Sequence, residues 1–293
     1  MPFSKKLFLT GGTGLIGKEL LIPLIQAEFE VYALTIDKEL PQLEHVHWLP
    51  GNLFDDTGLS NLFAQVKPQY LLNMAWCTTA DYQTSNLNFD FVRAGLSLLK
   101  HFAKNGGKRA VFAGTCLEYA PQPHPLKESD PIAPACTYAY CKHALHLLAD
   151  SFCAQNGISF AYGRIFYVYG KNEHPKRLTA SIINQLKQGQ KVAILHAQLQ
   201  KDYLYTKDIA GAFTALLDSG VTGTVNICSG RPISLKEFAS EIATQLCRAD
   251  LLELQTQPTS QPASIVGDNS RLRLEVKFEP QYSLTQALKE ILK

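Results

Sequence analysis

No apolar run in this chain approaches the roughly 20 residues that a helix needs to cross a bilayer, and the longest are broken by charge, Gly or Pro. The opening "MPFSKKLFLTGG" sets Lys5 and Lys6 before apolar residues, but the run stops at Gly11 and Gly12, so it reads as a first strand rather than a secretion signal. The cysteines (77, 116, 136, 141, 153, 228 and 247) form an odd set without a C-x-x-C pair, which argues against a disulfide framework or a zinc site and fits a reducing cytoplasm. An excess of one charge is missing too. The formal net charge is +2 with both signs interspersed, leaving no basic stripe for nucleic acid and no polybasic membrane patch. There is no internal repeat, and the Gln, Pro and Ser run at 255–264 reads as a surface loop.

The chain does have length and apolar content: 293 residues, 46% hydrophobic, enough for one large domain or two intimately joined ones. Short β-rich runs alternate with helical ones: "KLFLT", a helix over 15–27, "EVYALT", "VHWLP", a helix over 59–66, "QYLLNMA", a helix over 87–104, "RAVFAGT", a helix over 137–155 and "SFAYGRIF". Strands separated by helix-length segments require right-handed crossovers, hence a doubly wound α/β fold with a mostly parallel sheet. After Gly170 the alternation weakens. The expected division is 1–168 plus about 204–228 for the main domain, and 169–203 with 229–293 for a smaller C-terminal lobe.

"LFLTGGTGLIGKEL" sets Gly11, Gly14 and Gly17 between a strand and a helix. Such a turn lets the backbone approach a pyrophosphate, whose charge the helix N-terminus favours. Dinucleotide binding is expected along Gly11, Gly12, Thr13, Gly14, Leu15, Ile16 and Gly17. About 18 residues beyond Gly17, where a carboxylate would meet the adenosine ribose, stands Thr35, followed by Asp37 and Lys38; NAD and NADP both stay open. Asn52 and Leu53 follow the third strand, where an amide can meet adenine or form a turn, and Ala75 follows the fourth.

In "TYAYCK", Tyr138 and Lys142 are four apart and share a helix face, whereas Tyr140 points some 200° away. The Lys142 ammonium and a nicotinamide nearby would favour phenolate, so a lowered Tyr138 pKa and an acid/base role are expected. "VFAGT" presents Thr115 at a strand's carboxyl end, where ligands bind in open α/β sheets.

With "TGGTGLIG", "GTCLEY", "YAYCK", "GRIFYVYG", "KDYLYTKDIAGA", "TVNICSG" and "PQYSLTQALKEIL" in this order, nearly the whole chain resembles the extended short-chain dehydrogenase/reductases, the NAD-dependent epimerase/dehydratase family that modifies nucleotide sugars. The resemblance implies a Rossmann fold, NAD or NADP as cofactor, Thr115 as substrate hydroxyl partner, Tyr138 as acid/base, and Lys142 as its partner and a nicotinamide-ribose ligand. It also implies a nucleotide-sugar substrate near Tyr167, Arg177 and Lys201, and a homodimer through a four-helix interface. Departures are plain. Tyr167 replaces a family Asn, Lys201 replaces an arginine that grips the diphosphate and so loses bidentate geometry, and the helix near Asp90 lacks a bracing Asn. Arg164, Arg177 and Lys171 are candidate compensating charges.

Dehydratases of that family follow the Thr with an Asp-Glu pair. Here Cys116 and Leu117 stand there and Glu118 lies one further on, which disfavours dehydration and leaves C4 epimerisation and 4-keto reduction open. A nucleotide-sugar dehydratase, a carbonyl reductase of non-sugar substrates and a non-catalytic NAD(P)-binding regulator are the alternatives. Cys116 and Cys141 are expected as buried packing rather than reactive thiols. His45 and His47 would share a strand face and His143 and His146 lie three apart on a helix, but neither pair has a third ligand at a convincing spacing, so no metal is expected. Apolar residues on more than one stripe of the helices over 87–104 and 137–153, including Phe91, Leu98, Leu99, Phe102, Leu145, Leu148 and Phe152, point to burial on two sides.

Overall fold

The computed structural model describes residues 3–77 and 81–293. Strands that are apolar on both faces must be covered on both faces, and the chain builds this cover in order. β1 (Lys5–Thr10) leads into α1 (Gly17–Gln26), β2 (Phe29–Thr35), β3 (Val46–Pro50), α2 (Asp56–Val66), β4 (Tyr70–Asn73), α3 (Leu87–Lys104) and β5 (Arg109–Thr115). Next come α4 (Thr137–Gln155), β6 (Ser159–Ile165), β7 (Tyr167–Tyr169), α5 (Leu178–Lys187), β8 (Val192–Ile194), β9 (Gln200–Lys201), β10 (Tyr203–Tyr205), α6 (Thr206–Asp218) and β11 (Gly223–Ile227). The C-terminal part adds β12 (Ile233–Ser234), α7 (Leu235–Gln245), β13 (Leu252–Leu254), β14 (Ser264–Ile265), α8 (Ser270–Leu274) and α9 (Leu284–Leu292).

Among the described residues, seven strands form one sheet in the order β11-β6-β5-β4-β1-β2-β3, and every pairing is parallel. The doubly wound α/β expectation holds. Leu20, Leu21 and Leu24 of α1 and Ile209, Phe213 and Leu216 of α6 cover one face. Leu59 and Phe63 of α2, Leu98, Leu99 and Phe102 of α3, and Leu145 of α4 cover the other. Gly95 allows α3 and α4 to pack closely, since a Cβ there would lie 2.8 Å from the Leu145 side chain. The order of the chain reverses beside β1, and the carboxyl ends of β1, β4 and β5 open together at that switch point, where ligands bind in such sheets.

A further apolar cluster joins Tyr169, Ile182, Leu186, Tyr203, Phe238, Ile242 and Leu288, outside the large sheet. Several strands here span only two or three residues, too short to show an alternating pattern in sequence.

Candidate active site

The β1–α1 turn has no room for side chains. Gly11 has φ +75°, in the left-handed region, and a Cβ on it would lie 2.8 Å from the Ala75 nitrogen. A Cβ on Gly17 would lie 1.9 Å from the Gly11 carbonyl oxygen. The Gly14 N–H donates to Gly11 O at 3.0 Å. α1 begins after Ile16 with no side-chain cap, directly beyond the turn carrying Gly12, Thr13, Gly14 and Leu15, and its Lys18 and Glu19 N–H groups donate to Gly14 O and Ile16 O at 3.1 and 3.0 Å. Backbone donors at an uncapped helix N-terminus, with glycine wherever a side chain would intrude, fit the pyrophosphate of a dinucleotide. Thr10 braces the floor: its hydroxyl accepts from the Ala75 N–H at 3.2 Å and donates to Asn73 Oδ1 at 2.6 Å.

Thr35 is buried and its hydroxyl accepts from the Asp37 N–H at 3.0 Å. Asn52 is exposed and closes its own turn, Oδ1 accepting from the Phe54 N–H at 2.9 Å, while Leu53 packs onto the sheet cover. Asn52 thus forms a turn, one of the two roles expected of it.

At the carboxyl end of β5, Thr115, Tyr138 and Lys142 come together, all buried. The Thr115 and Tyr138 hydroxyls lie near each other. Tyr138 is fixed at the start of α4 by its N–H donating to Gln83 O at 3.1 Å, and its ring meets Tyr82 and Trp76 edge-on, at centroid distances of 4.9 and 6.1 Å. Lys142 Nζ donates to Ala113 O at 2.7 Å and lies 4.0 Å from the Trp76 ring centroid and 5.9 Å from that of Tyr138. Tyr140 is 61% exposed, as its helical position requires.

The expected lowering of the Tyr138 phenol is not found. Burial raises it, Tyr82 adds to that, and the nearby Thr115 hydroxyl only partly opposes it. The reason is geometric: the Lys142 ammonium is turned to the Ala113 carbonyl and the Trp76 face. Burial pushes Lys142 down to about 7, with the Glu118 carboxylate working the other way. The site thus holds a neutral phenol beside a lysine poised near neutrality.

Trp76, Tyr82 and Asn88 escaped the sequence reading. The expectation that the helix near Asp90 lacks a bracing Asn is corrected: Asp90 pairs with Arg93 at the surface, and Asn88, two residues before it, does the bracing. It is buried, its Oδ1 accepts from Trp76 Nε1 at 2.7 Å, and its Nδ2 donates to Tyr82 O at 2.7 Å and Ser85 O at 2.8 Å. An amide in the first turn of α3, following an aromatic a few residues past β4, was the available signal.

Glu118 is wholly buried beneath Thr115. Burial alone raises a carboxyl, but the neighbouring His143 imidazole and the Arg164 charge outweigh it and hold Glu118 below its usual range. Arg164, a candidate substrate charge, is therefore spent inside the protein: it is buried and its Nε donates to Glu118 Oε2 at 3.2 Å. The third neighbour that His143 and His146 lacked in sequence is Glu118, all three placing donor atoms within 4.8 Å of one another. The guanidinium on the same carboxylate oxygen already supplies the positive charge a metal would bring. Cys116 and Cys141 are buried, and burial pushes the Cys116 thiol up to about 12, as packing residues would have it.

On the other side of Tyr82 lie the residues expected to meet substrate. Tyr167 faces Cys116 and Tyr82. Lys201 is buried with its Nζ 5.2 Å from the Tyr167 ring centroid, and it has no carboxylate partner among the described residues. The Arg177 guanidinium lies 5.8 Å from the Tyr82 ring, and Lys171 is exposed.

Residues 7–228 match the model of the NAD dependent epimerase/dehydratase family. The chain belongs to that family. As a member it is an enzyme of the NAD(P)-dependent, nucleotide-sugar-modifying kind. It is 25% identical to the dTDP-D-glucose 4,6-dehydratase of Mus musculus over 96% of this chain and 84% of that one. It is 22% identical to the dTDP-4-dehydro-6-deoxyglucose reductase of Escherichia coli over 97% and 96%. Its fold matches that of a UDP-glucose 4-epimerase from Thermotoga maritima, solved with UDP-glucose, at a TM-score of 0.87 and 19% identity over 98% of this chain and 97% of that one. Family members similar to this chain thus carry out dehydration, reduction and epimerisation, and the choice among them rests on the site. Among the described residues, no helix is long and apolar enough to cross a membrane.

Proposed function

We propose that this family member moves hydride at C4 of a nucleotide-activated sugar, as a 4-epimerase or 4-keto reductase, through Thr115, Tyr138 and Lys142. The observation that carries this choice over dehydration is the fate of the three residues after Thr115. Cys116 is a buried thiol held protonated, Leu117 has no titratable group, and the Glu118 carboxylate is sealed below the site against Arg164. Removing water from a sugar needs a second acid/base group at the substrate, and none of these three supplies one.

A bound NAD(P) supplies the hydride acceptor or donor; the protein supplies the proton and the positioning. Tyr138 takes the proton of the C4 hydroxyl during oxidation and returns it during reduction, while the Thr115 hydroxyl donates to the C4 oxygen. Lys142 is the residue that would hold the nicotinamide ribose, and the positive charge favouring the phenolate that Tyr138 must pass through would come from a bound nicotinamide, since the ammonium itself is turned to the Ala113 carbonyl and the Trp76 face. Lys201 faces the nucleotide phosphates, its buried charge lacking a carboxylate partner among the described residues, with Tyr167 and Arg177 beside it. Residues 169–203 and 229–293 act as the substrate lobe against 1–168 and 204–228. Leu87 and Phe89 of α3 and Tyr140, Leu147 and Leu148 of α4 are exposed apolar side chains, and a second copy of the chain packs against these helices; a monomer in light scattering at micromolar concentration would contradict this.

The test is incubation with UDP-, dTDP-, GDP- and CDP-sugars and their 4-keto forms, with NADH or NADPH, following absorbance and product stereochemistry. Isomerisation without net cofactor change identifies an epimerase, and stoichiometric oxidation a reductase. Release of a 4-keto-6-deoxy product from a 4-hydroxy sugar would refute the choice against dehydration.

A further inference from the structure

Glu118 takes no part in the proton and hydride steps above, yet it is a fully buried carboxylate directly under them. A buried charge persists only where it is paired and hydrogen-bonded, and the partners here are the site's own backbone. Oε1 accepts from the Thr115 N–H at 3.0 Å and from the Tyr162 hydroxyl at 3.0 Å. That hydroxyl is also 3.0 Å from the Lys142 carbonyl oxygen. Oε2 accepts from Arg164 Nε at 3.2 Å and lies 3.5 Å from Nδ1 of His143, the residue after Lys142. One carboxylate therefore touches the backbone at Thr115 directly and reaches Lys142 through a single hydroxyl. Gly114 makes this possible, because a Cβ there would come within 2.2 Å of the Tyr162 ring.

We propose that Glu118 is a positioning residue for Thr115 and Lys142, acting from beneath the site through Tyr162. The proposal rests on the assignment of those two residues to the reaction. With Oε1 on its N–H, Thr115 cannot rotate its peptide, and its hydroxyl stays at the head of β5. With the single Tyr162 hydroxyl proton shared between Oε1 and the Lys142 carbonyl oxygen, the first turns of α4 keep their register against β5, which sets the reach of Lys142 and, one turn earlier, of Tyr138. Arg164 anchors the carboxylate from β6, so the three elements that carry the site share one joint. Small displacements at a reacting centre cost rate rather than affinity.

Tyr162→Phe removes only the bridging hydroxyl and keeps the ring, while Glu118→Gln removes the charge. Both are compared with wild type for kcat, KM, NADH affinity and amide hydrogen exchange. Tyr162→Phe is expected to lower kcat ~10-fold and Glu118→Gln ~100-fold, with KM and NADH affinity within ~3-fold. Exchange should quicken in the segments around Thr115 and Lys142 and nowhere else. Where Glu118→Gln fails to fold, Tyr162→Phe decides. Folded variants with wild-type kcat and wild-type exchange overturn the proposal, as does a stoichiometric metal ion retained by dialysed wild type and lost in His146→Gln. A wild type that turns over no sugar of the panel sinks the reaction assignment instead, and the exchange comparison still decides the role of Glu118.

Discussion

Two buried glutamates stand at opposite ends of the large sheet, each against histidine, and they do different work. Glu30, near the amino end of β2, receives His47, His45 Nδ1 at 2.9 Å and the Phe3 N–H at 3.0 Å. The Phe3 ring stacks on His45 at 3.9 Å. These contacts tie the N-terminus and the β2–β3 edge together. Glu118, just past the carboxyl end of β5, has no such edge to secure and instead contacts the backbone that presents Thr115 and Lys142. The same side chains at the two ends of parallel strands thus separate stability from activity, because only the carboxyl ends open toward a ligand.

Substitutions at the two ends should part company. The largest effect belongs to Tyr138→Phe, which is expected to lower turnover by ~10³-fold or more while NADH still quenches protein fluorescence as in wild type; comparable rates for the two proteins would remove Tyr138 from the reaction. Gly17→Ala should weaken NADH binding at least ~100-fold in titration calorimetry, since its Cβ would overlap the Gly11 carbonyl; wild-type affinity would place the cofactor elsewhere.

At the other end, Glu30→Gln should cost about 1–2 kcal/mol in urea unfolding at pH 7 and leave kcat alone. The sign of its pH dependence is fixed. Burial raises the Glu30 carboxyl, but the hydrogen bonds from His47, His45 and Phe3 prevail and hold it at about 2, against an ordinary 4.5. A depressed carboxyl adds stability above its unfolded pKa and loses it as pH falls through the folded one. The difference between wild type and Glu30→Gln should therefore shrink from pH 4.5 toward pH 2; a difference that grows there would mean the histidine contacts do not hold in solution. Smallest of all, Tyr140→Phe on the exposed side of α4 should change kcat by less than ~2-fold, and a loss matching that of Tyr138→Phe would show that α4 presents its other face.

What the sequence revealed and concealed follows from distance along the chain. The glycine turn, the strand-helix alternation and the Tyr138–Lys142 pair are local patterns, visible within a few residues. The Glu118–Arg164 pair and the Trp76 face over Lys142 join positions 46 and 66 residues apart, and no periodicity signals them. His45 was expected to share the strand of His47. It lies instead just before β3 at φ +64°, yet both rings reach Glu30, because a left-handed residue redirects the side chain. The direction of the Tyr138 pKa was missed for a related reason: helical spacing gives proximity to Lys142 but says nothing of the Ala113 carbonyl and Trp76 ring that hold its ammonium.

The position of β11 has a consequence for any attempt to treat the chain as interchangeable parts. It pairs with β6 at the end of the large sheet, but the segment from α5 to β10 intervenes before the chain returns to form it. A gene cut after Gly170 would leave β6 as a long apolar edge with unpaired peptide groups, a template for self-association. Exchanging the segments that flank β11 between relatives of this enzyme therefore calls for replacing them around a retained strand, not for joining halves at a linker.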